Sequence, residues 1–115
     1  MATQNVNKRA LTATLQSAQT TGNGTAVKVL VASDTGVREH TFYIIGSAGV
    51  SAGAVQIETA MSDTYAGTWA PLGAAITVGN NTVQIVQVTG ALDWVRARIS
   101  SNITNGTVTV EYVGN

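Results

Sequence analysis

His40 is the single histidine of the chain, and an imidazole can act as a general base when a nucleophile and an orienting acid converge on it. Nothing beside it in the sequence supplies them. Glu39 is adjacent, and adjacent residues on a strand point to opposite faces. A buried or interface histidine is therefore expected in place of a catalytic one. The carboxylates Asp34, Glu39, Glu58, Asp63, Asp93 and Glu111 are scattered singly. A glycosidase needs two facing carboxylates at a defined separation, and a calcium loop needs several oxygens close together. Neither spacing occurs, and Asp34 and Asp63 read as turn formers. The chain has no cysteine, which excludes disulfides, thiol chemistry and Cys-type zinc sites. Gly46, Gly49 and Gly53 match neither a dinucleotide fingerprint nor a phosphate loop. No catalytic residue, cofactor or metal is expected. The chain does not read as an enzyme.

Two groups of side chains could bind. Trp94, Arg96 and Arg98 are spaced two apart, so on a strand they share one side, indole beside guanidinium. Arginine stacks on tryptophan and pairs with carboxylates in a fork geometry. These residues form either a patch for a partner or an intramolecular ladder with Glu58, Asp93 or Glu111. The second group is Lys8 and Arg9, the only adjacent cations, at the end of the polar stretch 1–9. That stretch reads as an N-terminal arm preceding a single domain over 10–115. Extended, it would reach up to ~30 Å, far enough to touch a neighbouring subunit.

These groups stand in an unusual background. Charged residues make up 10% of 115, six basic against six acidic, far below the usual quarter or so. A zero net charge lacks the electrostatic footprint of a nucleic-acid binder. No apolar run approaches the ~18 residues of a membrane span. Met1-Ala2-Thr3-Gln4-Asn5 lacks the basic and apolar blocks of a leader, so assembly in a cytoplasm is expected. Apolar residues at 44% are enough for one core. The polar remainder is mostly Thr, Asn, Ser and Gln, which hydrate a surface without repelling a neighbour. A homo-oligomer, with a trimer favoured, follows as the expectation.

The elements that must position these residues are strands. Leu11, Ala13 and Leu15 alternate with Thr12, Thr14 and Gln16; Val27 and Val29 flank Lys28; Val55, Ile57 and Thr59 resume the alternation. Residues 38–45 place His40, Phe42 and Ile44 on one face and Tyr43 and Ile45 on the other, which predicts a central or interface strand. Phe42 and Tyr43 join the interface candidates. Pro71 predicts an edge strand or a bend. Between Val83 and Val88 the apolar residues change parity, from Val83 and Ile85 to Val86 and Val88, which predicts a bulge. Val95, Ala97 and Ile99, then Val108, Val110 and Tyr112, complete the pattern. Asn23-Gly24, Asp34-Thr35-Gly36, Gly79-Asn80-Asn81 and Asn105-Gly106 supply turns. About eight short strands with turn chemistry between them predict an all-β antiparallel sandwich, jelly-roll-like or Ig-like.

Two stretches carry a resemblance. Glu58-Thr59-Ala60-Met61-Ser62-Asp63 followed by Gly67-Thr68-Trp69-Ala70-Pro71-Leu72 resembles a hairpin of small tailed-bacteriophage virion proteins, with Asp63-Thr64-Tyr65 where those have Asp-Gly. Trp94-Val95-Arg96-Ala97-Arg98-Ile99 and Gly106-Thr107-Val108-Thr109-Val110 resemble the terminal hairpin that follows it. The resemblance covers the C-terminal half. It implies a virion structural protein of the capsid decoration, or cement, type, located on the capsid surface. Its implied partner is the major capsid protein, which it would clamp by multivalent contact. The alternatives are a tail or baseplate component, and a carbohydrate- or receptor-binding sandwich using Tyr65, Trp69 and Trp94.

Overall fold

In the strand Val108–Gly114, every second side chain is buried. Val108, Val110 and Tyr112 point one way into the core, while Thr109, Glu111 and Val113 are half-exposed on the other side. The same period runs through Glu39–Gly46 and the first half of Trp94–Thr104. Alternation of this kind forces each sheet to cover its apolar face, and two sheets do so against each other.

The structure, a computed structural model, describes residues 11–29, 38–61 and 69–115. They form β1 (Leu11–Gln19), β2 (Val27–Lys28), β3 (Glu39–Gly46), β4 (Ala52–Ala60), β5 (Ala70–Pro71), β6 (Ile76–Thr77), β7 (Val83–Thr89), β8 (Trp94–Thr104) and β9 (Val108–Gly114). The first sheet has the order β1-β9-β3-β7 and the second β2-β8-β4-β5, with β6 also on β4. All pairings are antiparallel. The protein is an all-β sandwich. The pairing is nested: first strand with last, β2 with β8, β3 with β7, and β4 with the β5 and β6 pieces. A long hairpin wrapped on itself produces this order, which is that of a jelly roll. Of the two topologies expected, the Ig-like one is set aside.

One side of the sandwich is closed by the chain itself. Within its pairing with β9, β1 shifts register twice, between Thr14 and Gln16 and between Gln16 and Gln19, and Ala18 adopts φ 48°. The chain then crosses to the second sheet, where the carbonyls of Thr20 and Gly22 accept the amides of Ile103 and Ile99 on β8. Gln16, buried at this crossing, donates through Nε2 to the Ala97 carbonyl at 2.7 Å. Gly24 sits in the left-handed region at φ +72°, where a Cβ would meet the Leu15 carbonyl oxygen at 2.4 Å. Only glycine fits there.

On the opposite side, among the described residues, the Gln84 amide bridges the two sheets by donating to the Thr77 carbonyl at 2.6 Å. There β7 forms the edge of the first sheet and β5, with Pro71, an edge of the second, as its proline predicts. The bulge expected in β7 is absent: its register with β3 runs unbroken from Glu39↔Thr89 to Ile45↔Val83. The parity change has another cause. Val86 and Val88 face the core, while Val83 and Ile85 face outward and are 59% and 58% exposed.

Candidate functional site

Neighbouring strands bring Glu58 of β4 opposite Arg96 of β8, and Gln56 opposite Arg98, on the outer face of the second sheet. Glu58 is only 5% exposed although it lies on an outer face. The chain around β5 covers it, with the Gln56 amide bonded to the Gly73 carbonyl at 3.1 Å. The buried carboxylate is divided between the two arginines. Arg96 Nε donates to Oε1 at 2.8 Å and Arg98 Nε to Oε2 at 3.0 Å. The ring centroid of Trp69, itself buried, lies 4.4 Å from the Arg96 guanidinium carbon. That is the range in which an indole face attracts a cation. The intramolecular ladder therefore exists, and its acid is Glu58. Asp93 instead holds Lys28, with Nζ at 2.9 Å. Glu111 lies on the other sheet and accepts from Thr14 Oγ1 at 2.7 Å.

Trp94 heads this face, half-buried, with Lys28 Nζ 5.6 Å from the ring centroid. Lys28, Arg96 and Arg98 all lie here, against Glu58 and Asp93. The arrangement carries one excess positive charge held in place by packing.

The outer face of the first sheet differs in character. Tyr43 stands opposite Ile85 and Ile45 opposite Val83, with Val113 of β9 beside Thr41. Tyr43 and Ile45 are half-exposed, and with Val83 and Ile85 they make an apolar patch at the β7 edge, bordered on the β9 side by Glu111 opposite Tyr43.

His40 lies within the sandwich, 1% exposed. Its Nε2 is 2.9 Å from the Gly90 carbonyl, which can only accept, so Nε2 carries the proton. Nδ1 is then the acceptor for the Tyr112 hydroxyl at 2.6 Å. Burial pushes the Tyr112 phenol up from 10.0 to about 12. His40 is thus a buried histidine with both ring nitrogens hydrogen-bonded.

The interface candidates are thus divided among different places. Arg96, Arg98 and Trp94 share one face, and Tyr43 lies on the opposite one. Phe42 is fully buried against Tyr112, with ring centroids 5.2 Å apart, so it is a core residue and offers no surface. Sequence reasoning put it with Tyr43 because both faces of β3 are apolar, and β3 is indeed a central strand. Lys8 and Arg9 lie outside the described residues, as do Asp34, Asp63 and Tyr65. Val83 and Ile85 were missed as surface residues; their unbroken alternation with Gln84 was the available signal. Among the described residues no three His, Asp or Glu side chains gather as a metal site would require. Comparison with protein-family models, with curated proteins and with solved structures finds no match to this chain.

Proposed function

We propose that this protein is a structural adhesion module of a virus particle, most specifically a capsid decoration protein of a tailed bacteriophage. It acts as a homo-oligomer, with a trimer favoured, bound to the major capsid protein on the outer shell. The observation that carries this reading is the β7 edge. Sheet edges in free-standing proteins are blunted by charge, proline or brevity. The β5 edge follows that rule, being two residues long with Pro71. β7 has seven residues, Val-Gln-Ile-Val-Gln-Val-Thr, without charge or proline, and exposes Val83 and Ile85 beside Gln87 and Thr89. Left in water, such a segment invites uncontrolled strand addition. A standing partner removes that hazard. The low charge of the whole chain points the same way, and jelly rolls are frequent in viral capsids, an argument by fold analogy.

The runner-up reading as a glycan-binding module is less well supported. A glycan platform needs open aromatic faces, whereas Trp69 is buried beside Arg96 and Trp94 is half-buried near Lys28. Light scattering and co-sedimentation with capsid shells assembled without this protein test the proposal. An oligomer that binds shells is expected, and Ile85→Lys should abolish assembly while leaving thermal melting nearly unchanged. A monomer at high concentration that ignores the shells would overturn the reading. Binding to tails in place of shells would move the same module to a tail or baseplate address.

A further inference from the structure

We infer that Arg96 and Arg98 form a preassembled fork for a carboxylate side chain presented by a protein partner. Each guanidinium uses only its Nε on Glu58. The Nη groups of both have no hydrogen-bond partner among the described residues, and an arginine has five N–H donors to satisfy. The two side chains project from the same side of β8, about 7 Å apart at the backbone. Their exposure is graded: the Arg96 side chain is 18% exposed and that of Arg98 38%. The outward edges therefore remain open to a visitor while the inner edges are fixed.

Among the described residues two positive charges share one buried carboxylate; Asp93 is engaged with Lys28, and Glu39 and Glu111 lie on the opposite sheet. The surplus charge calls for an anion. Glu58 and Trp69 already hold the arginines in place, so a ligand does not have to order two long side chains on binding. A half-buried arginine beside tryptophan is also the composition of energetic centres in protein interfaces. A nucleic-acid phosphate chain is the less fitting visitor, because a neutral protein with one local surplus charge lacks the extended cationic track it needs. The fork lies on the second sheet, away from the β7 surface on the first.

The test follows the Nε–H signals of Arg96 and Arg98 and the Trp69 indole N–H by nitrogen–proton correlation NMR on the full chain. The probes are a short capped peptide with two glutamates, its glutamine counterpart, and inorganic phosphate. The glutamate peptide should move these three signals saturably, and the glutamine peptide should leave them in place. Arg98→Gln should weaken binding about tenfold with the rest of the spectrum unchanged, and Arg98→Lys should restore only part of it. Absence of a saturable shift at Arg98 overturns the inference, as does an equal response to the glutamine peptide. Phosphate binding as tightly as the glutamate peptide would overturn the carboxylate assignment. None of these results depends on oligomer formation or shell binding, so the fork and the adhesion proposal fail separately. Since the wild-type titration is itself decisive, a variant that misfolds does not protect the claim.

Discussion

Raising the pH should unfasten the core at a single phenol. Tyr112 is fully buried and donates to His40 Nδ1, and its ionisation is displaced from 10.0 to about 12 by burial. The acid is neutral when protonated, so the folded state keeps its proton longer than the unfolded chain does. The stability tied to this difference is fully present below pH 10 and is lost as pH rises through 12. A displacement of this size corresponds to about 3 kcal/mol, of which roughly half is gone at pH 11. Other groups titrate in the same range, so the comparison is with Tyr112→Phe. At neutral pH that variant should be less stable by about 1–3 kcal/mol, because His40 Nδ1 loses its buried donor. The gap should then shrink by roughly 1–2 kcal/mol at pH 11 and by about 3 kcal/mol at still higher pH. Urea melts at a series of pH values measure the gap. Phenolate absorbance measures the cause, since one of the three tyrosines should ionise only well above the unperturbed value. A gap that stays constant across this range would refute the reasoning, as would three phenols titrating together.

Glu58→Gln should cost about 2–3 kcal/mol, discounted from a fully buried pair because Arg98 is partly solvated, while Lys28→Gln at the more exposed pair should cost under about 1 kcal/mol; denaturant melts compare them. Gly24→Ala places a Cβ 2.4 Å from a carbonyl at a positive φ, and should lower stability by about 2 kcal/mol or more and loosen the Thr20–Gly22 segment from β8; calorimetry with amide exchange at Ile99 reads both. Removing residues 1–9, which end before β1, should leave melting nearly unchanged and reduce shell binding at least tenfold; co-sedimentation decides it, and equal binding would show the arm to be dispensable.

Strand identity was legible wherever one face of a strand is buried, as in Val108–Gly114, because burial writes a period of two into the residues. The grouping of Trp94, Arg96 and Arg98 was legible for the same reason. Which face turns inward was not legible when both are apolar. Phe42 and Tyr43 look equivalent in sequence, yet one is core and the other surface, and Val83 with Ile85 read as a register slip because outward valine and isoleucine are unusual. The nesting of β1 with β9, and the approach of Trp69 to Arg96, depend on pairings between distant segments that no local pattern encodes. The two-residue strands β2, β5 and β6 are too short to show a period at all. The Gln16 crossing is held by a side chain bonding a carbonyl 81 residues away, a contact that leaves no mark on its neighbours in the chain.

The pairing of Leu11 with Gly114 also sets a schedule. A strand that must wait for a partner a hundred residues later cannot dock during the early part of synthesis, and loops of that length close late and slowly. Until β9 emerges, β1 and β3 both lack the strand that joins them in the first sheet. The nascent chain therefore spends its longest interval with β-branched segments uncovered. Its yield in a cell should depend more on temperature and on holding chaperones than the stability of the finished sandwich would suggest. Truncating a few residues at Val113 or Gly114 should harm folding far more than their small side chains imply.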